Sequence, residues 1–513
     1  MAIMDASLLL EFKRKFEQES GLIGVDFEIK SRSDGPLLIL RVSNPTERLF
    51  RVLESVRQSL INNEGSDVPR ATLERRAKDN PLKTAEGRLL LRTLSESLNI
   101  NRNSFKEDFF ARYTKSVSGA EEQITAAANH LVFGRRGAGK SSLLLFGLHS
   151  RSMVERVSAW VDMQVYAQRK DIGVAVDILA YVIEQVRPFV AASSAVDAVA
   201  ARLERLKESD TLSETDIRKV LPDVRKALGE FSGRGQDLAI FLDDYHVIDA
   251  ALQPKVLAVL YAVTRGNGIY LKISSIETLT QSWDPTAKAG LQIPHDVQEI
   301  KLDYNLTIPE KATEHITSIL DAHAVYCGLS SIRSLCTSTD VLSRLVWVAA
   351  GVPRDALSIF AQAMTKASLA DGKRVSVSSI NVAASETVNV KLKELDTDAS
   401  GEAQPLHDLL EELREFCIKK QRKNAFLTEI RSDDLTYQRV LKLVDLRLLH
   451  VINEGISVGE AGRKYLALIL DYGFYIGIRA AKSVDLFNKQ TKKVAYRDLR
   501  RLPVFDQLQE AGL

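Results

Sequence analysis

HLVFGRRGAGKSSLLLF, residues His130 to Phe146, passes from a short apolar run through a glycine-rich turn into a leucine-rich run. Gly134, Gly139, Lys140 and Ser141 satisfy the spacing G-x-x-x-x-G-K-[ST], with a strand pattern before it and a helix pattern after it. A phosphate cradle needs each of these residue types. Glycines let consecutive backbone N–H groups turn inward around phosphate oxygens, and the helix that follows points its positive end at them. Lys140 adds a mobile charge at the β and γ positions, and Ser141 supplies a hydroxyl for Mg2+. The whole loop, Gly134, Arg135, Arg136, Gly137, Ala138, Gly139, Lys140, Ser141 and Ser142, is therefore expected to wrap a nucleotide phosphate. The plain alternative is a glycine-rich strand-to-helix turn that matches by accident.

Working outward, apolar strand-like runs recur between helical ones at 130–133, 159–167, 238–242, 269–274 and 297–302. Such alternation builds a parallel sheet covered on both faces, so an α/β nucleotide-binding core with five strands is expected. The gap between the second and third runs holds helical patterns at 172–190, 194–208 and 214–230. LAIFLDDYH ends an apolar run in Asp243 and Asp244, which brings the first carboxylate to the strand tip, where a P-loop's Mg2+ shell lies. Asp243 is read as a metal ligand, and Asp244 as the group that orients or deprotonates the attacking water. Paired acids after a strand also serve as helix caps. The next strand ends in Ser274 and Ser275, at the sheet edge where ligands of open α/β sheets sit. A hydroxyl there can touch the γ-phosphate, or simply bond local backbone.

The limits set by composition are broad. A chain of 513 residues with 45% hydrophobic residues suits about three or four packed domains. Lys plus Arg (69) nearly balances Asp plus Glu (67), so no global field draws the molecule to nucleic acid or membrane. Three cysteines, Cys327, Cys336 and Cys417, fit small buried apolar residues better than a disulfide framework. No signal layout opens the sequence, and no apolar run reaches the roughly eighteen residues of a membrane span. The expectation is a cytoplasmic protein with no membrane partner. Histidines are scattered without zinc spacing, no G-x-S-x-G elbow occurs, and the absence of an N-K-x-D signature favours ATP over GTP.

Four regions follow: an N-terminal α+β unit with a linker (1–105), the P-loop core (106–305), a helical lid (306–390) and a C-terminal region (391–513). Residues 62–88 are polar and charged, as a linker would be. In GVPRDAL, Gly351 and Pro353 punctuate two helical runs and place Arg354 in the first turn of a helix, where it opposes the dipole. Between Cys417 and Arg501 there are 18 Lys/Arg against 9 Asp/Glu, a net of +9 in a chain whose total is +2. NKQTKKVAYRDLRR (488–501) is its densest part. Such a surface suits phosphate-backbone contact, although solvated helix faces produce the same pattern.

From about Phe109 onward the order of features resembles the AAA+ ATPases, particularly the branch of origin-recognition replication initiators and the related STAND ATPases. FFARYTKSVSGAEEQITAAANHLVFGRRGAGKSSLL is similar to that group's lead-in and P-loop, FLDDYHVID to its Walker B, and WVAAGVPRDALSIFAQAM to its lid segment. The resemblance implies a first-sensor role for Ser274 and a second-sensor role for Arg354 at the γ-phosphate. It also implies homo-oligomers on ATP binding, with an arginine from a neighbouring subunit; Arg265 stands for that role, or is a basic helix C-cap before Gly266. Helices followed by HVINEGISVGEAGRKYLALIL resemble that branch's winged helix. Two functions remain open: an ATPase that couples nucleotide state to assembly and duplex DNA, and a STAND-like signalling or anti-phage switch that docks a partner protein.

Overall fold

A computed structural model describes residues 6–506 apart from 62–69, 476–494 and short stretches elsewhere. The chain begins with α1 (Ala6–Ser20), β1 (Asp26–Arg32), β2 (Gly35–Val42), α2 (Glu47–Ile61) and β3 (Arg70–Arg75). β1 pairs antiparallel with β2, and β3 pairs parallel with β2 on its other side. The linker expectation for 62–88 is corrected: it contains β3 and the start of α3 (Ala85–Glu96), capped by the Thr84 side chain on the Gly87 N–H. β3 reads as polar because it is an edge strand in which only Leu73 is buried.

After α4 (Glu107–Phe110) and α5 (Ala120–Thr125) comes the core: β4 (His130–Phe133), α6 (Lys140–Ser152), β5 (Ser158–Asp162), α7 (Gly173–Val186), α8 (Ser194–Lys207), α9 (Glu214–Ser232), β6 (Leu238–Asp243), α10 (Gln253–Thr264) and β7 (Ile269–Ser275). A two-residue hairpin, β8 (Trp283–Asp284) with β9 (Ala289–Gly290), precedes β10 (Gln298–Lys301). Five strands form one parallel sheet in the order β10-β4-β7-β6-β5. Every residue of β4 and β6 is buried, the signature of a sheet covered on both faces. Leu131, Ile240 and Ile273 face the α7–α10 side, whereas Val132, Trp160 and Phe241 meet α5 and α6. The fold is therefore α/β with a five-stranded parallel sheet. The second strand is shorter than its apolar run suggests, because the Asp162 side chain accepts the Gln164 N–H and opens a 3-10 turn.

Four helices follow: α11 (Pro309–Tyr326), α12 (Asp340–Val348), α13 (Pro353–Leu369) and α14 (Val377–Asp398). The boundary expected at 390/391 falls inside α14, a helix of 22 residues. Beyond it lie α15 (Ala403–Glu415), β11 (Ala425–Glu429), α16 (Leu435–Asp445), β12 (Leu449–Ile456), β13 (Tyr465–Leu470), α17 (Tyr496–Leu499) and β14 (Val504–Phe505). β12 and β13 form an antiparallel pair, extended by β11 and β14 into a four-stranded sheet. The N-terminal unit, the helical segment and the C-terminal region share one apolar core, which runs from Phe12 and Leu90 through Trp347 and Phe360 to Phe426 and Leu468.

Candidate functional site

At the carboxyl edge of the sheet, β4 ends in the glycine loop, and α6 starts with Lys140 as its first residue. Gly137 (φ 78°) and Gly139 (φ 100°) adopt left-handed backbone, which glycine takes without strain. A Cβ on Gly139 would meet no protein atom within 4 Å, so the loop faces open space there. Lys140 is buried, and its Nζ donates to the carbonyls of Gly134 (2.9 Å) and Arg135 (3.3 Å). Arg136 to Ser142 line a cavity of about 420 Å³, a size that suits a small-molecule ligand.

The acidic strand tip closes on this loop. Ser141 Oγ donates to Asp243 Oδ1 at 3.1 Å, and Ser274 Oγ donates to the same oxygen at 2.6 Å. Burial and the neighbouring Asp244 charge push the Asp243 carboxyl up to about 6. Asp244 sits in a left-handed conformation (φ 59°), with its N–H on Ser274 Oγ (2.8 Å) and its Oδ2 accepting from Gln164 Nε2 (3.3 Å). This backbone is unusual for a non-glycine residue, and Asp244 lines the cavity beside His246. Burial holds the His246 imidazole down at about 4, so it is neutral at pH 7.

Ser274 is fully buried; its O–H goes to Asp243 while its oxygen accepts the Asp244 N–H. It thereby joins the two acids. Ser275 bonds Thr280 Oγ1 at 2.5 Å.

The lid supplies the opposite wall. Arg354, one residue into α13, lines the cavity; its backbone N–H donates to the Gly137 carbonyl at 3.2 Å, and its Nη2 to Asn99 Oδ1 at 3.2 Å. A Cβ on Gly137 would lie 2.6 Å from Arg354 Cβ, so loop and helix touch. Arg265 is not brought to this place. It caps α10 just before β7, at the edge of the parallel sheet opposite the glycine loop, with its guanidinium 5.7 Å from the Tyr261 ring.

Several lining groups were not singled out from sequence. Ser97 to Asn101, which follow α3, form part of the wall, as do His315, Ile319 and His323 of α11. Phe109, Leu302 and Leu357 make an apolar flank. Next to it, Glu121 accepts from Tyr113 Oη (2.8 Å), Ser116 N (2.7 Å) and Ser116 Oγ (2.7 Å). Burial works against its charge, yet these hydrogen bonds hold the carboxyl below its usual range. Asn99 carries no signal in the sequence, because its meeting with Arg354 spans 255 residues.

Ser141 and Asp243 bring two hard oxygens to one point, a donor set that would suit Mg2+. Among the described residues no cluster of three or more His, Cys, Asp or Glu side chains stands as a separate metal site, and no helix is long and apolar enough to cross a membrane. All three cysteines are buried thiols.

No protein-family model matches the chain, and no curated protein matches it. Among solved structures it is similar to the ORC2 protein of Aeropyrum pernix in ADPNP–ADP complexes, at 14% identity and a TM-score of 0.39 over 80% of this chain and 99% of that one. It is also similar to Cdc6p from Pyrobaculum aerophilum (14% identity, TM-score 0.36, 78% of this chain and 98% of that one). A third is the Aeropyrum pernix ORC1 protein in complex with DNA (16% identity, TM-score 0.36, 70% of this chain and 90% of that one).

Proposed function

We propose that the chain is an ATPase of the AAA+ kind that binds ATP with Mg2+ between the 134–142 loop and the lid. The observation that carries this reading is the 3.1 Å contact between Ser141 and Asp243, made beside a buried Lys140 and beneath the lid's Arg354. Loop N–H groups and the α6 N-terminus hold the phosphates, and Lys140 turns from the loop carbonyls toward the β and γ oxygens. Ser141 and Asp243 would hold Mg2+, which would supply charge neutralisation at those oxygens. Asp244, aimed into the cavity and steadied by Gln164, orients the attacking water and takes its proton. Ser274 fixes the spacing of the two acids. Arg354 reaches the γ-phosphate from the lid, so that the lid's position reports whether that phosphate is present. The apolar flank of Phe109, Leu302 and Leu357 receives the base.

ATP-dependent assembly and duplex DNA binding complete the reading. The DNA part is supported by the net of +9 between 417 and 501. That excess is not all surface: Arg447 is buried, and Arg431, Arg463 and Lys442 pair with Glu429, Glu429 and Glu402. The basic run at 488–494 lies outside the described residues. Turnover assayed with rising duplex at two salt concentrations tests this. The expected result is stimulation that weakens with salt; turnover independent of DNA would remove the DNA part and leave the ATPase. Sizing with and without a non-hydrolysable ATP analogue tests assembly, and an unchanged monomer would count against it.

A further inference from the structure

Away from the cavity, a cluster of buried charge lies where the helical segment meets the C-terminal region. Asp355 follows Arg354 in the first turn of α13 and is 4% exposed. Its Oδ1 accepts from Arg447 Nη1 at 2.5 Å, and its Oδ2 lies 3.3 Å from Lys391 Nζ. Lys391, on α14, also donates to Asp471 Oδ2 (2.7 Å) and to the Arg447 carbonyl (3.3 Å). His450 bonds the same Asp471 oxygen at 2.8 Å, and the other arm of Arg447 holds Glu394. Arg447 itself takes left-handed backbone at φ 61°, between α16 and β12.

Burying so many charges is expensive, and apolar packing of the same volume would stabilise at least as well. What such a cluster supplies is a fixed geometry. Arg354 is held on the other side by the Gly137 carbonyl, so the first turn of α13 is clamped between the glycine loop and the cluster. The strained Arg447 backbone is maintained at the same joint.

We infer that Asp355 is a positioning residue for Arg354: by binding Arg447 and Lys391 it sets the arginine against the glycine loop, and so makes the cavity's preference for ATP over ADP depend on the C-terminal region. The inference rests on the cavity being an ATP site with Arg354 at the γ-phosphate. Affinities for ADP and for a non-hydrolysable ATP analogue, measured on folded full-length protein, test it in four variants: Arg354→Ala, Asp355→Asn, Arg447→Lys and the double Arg354→Ala/Asp355→Asn. Wild type that binds neither nucleotide, or Arg354→Ala with an unchanged preference, would refute the reading beneath the inference. With that reading intact, Asp355→Asn should reduce the ATP-over-ADP ratio by about tenfold while ADP affinity stays within about twofold, as expected for a weakened hydrogen bond to charge. In the Arg354→Ala background the same change should add nothing, because a residue that acts through another shows full coupling. An unchanged ratio in Asp355→Asn, or an equal further loss in the double variant, would overturn the inference. Should Asp355→Asn fail to fold, Arg447→Lys, which keeps the charge and loses the fork onto Asp355 and Glu394, must lower the ratio in the same direction; an unaltered ratio there overturns the inference as well.

Discussion

Gly137 and Gly139 both hold left-handed backbone, but a methyl group would do different things at each. At Gly139 it would enter open space beside the loop, whereas at Gly137 it would press into Arg354 Cβ. Gly139→Ala should therefore fold with a strain of about 1–2 kcal/mol and lose ATP affinity by more than tenfold, read by thermal unfolding and calorimetry on the same preparation. Asp244→Asn should keep ATP affinity and lower turnover by about 10²- to 10⁴-fold, the range for removing a general base. Turnover equal to wild type would take that role from Asp244. These residues are legible in the sequence because phosphate and metal chemistry demands fixed residue types at fixed spacing. Ser274 shows the limit of that reasoning. Its place at the strand end was readable, but not which neighbour its single proton goes to.

At the scale of elements, Arg151 ties the end of α6 to the starts of β5 and β6. Its guanidinium bonds Ser158 Oγ (2.9 Å), the Val157 carbonyl (2.8 Å), the Asp237 carbonyl (2.7 Å) and Asp237 Oδ2 (3.0 Å). Arg151→Ala leaves Asp237 paired with Arg156 at 3.4 Å but strips the hydrogen bonds to Ser158 and to the carbonyls of Val157 and Asp237, and should lower unfolding stability by about 1–3 kcal/mol, measured by denaturant titration. A change below about 0.5 kcal/mol would show that these contacts do not hold α6 to the sheet. The five core strands were readable because burial on both faces makes them nearly continuous apolar runs. β3 was hidden because an edge strand keeps its charged residues, and α14 because its helix crosses a change in surroundings without any break in sequence.

Across the whole molecule, the helical segment joins everything else. Arg48 of the N-terminal unit and Arg112 of the cavity wall both lie against the Tyr326 ring, at 4.2 and 4.9 Å. Lys83 meets Asp371, and Asn80 donates to the Gly372 carbonyl. Nothing in sequence marks these pairings, which link residues hundreds of positions apart. Buried histidines give the assembly a pH signature. Burial holds His130, His323 and His450 at about 4, below an ordinary 6.5. Between those values the unfolded chain takes up protons that the folded one refuses, so their stabilisation is whole above pH 6.5 and is lost as pH falls toward 4. The unfolding midpoint should drop between pH 7 and pH 5, at up to about 1.4 kcal/mol per pH unit for each histidine. A midpoint that is flat or rises over that range would contradict their burial as neutral rings. The 134–142 loop and Asp243 are proposed to hold a magnesium nucleotide together. Calorimetric titration of wild type and Lys140→Ala with a non-hydrolysable ATP analogue in Mg2+ tests it most directly. One site per chain in wild type, weakened about tenfold or more by Lys140→Ala, is the expected result; folded wild type that takes up no nucleotide, or equal affinity in both proteins, would contradict it.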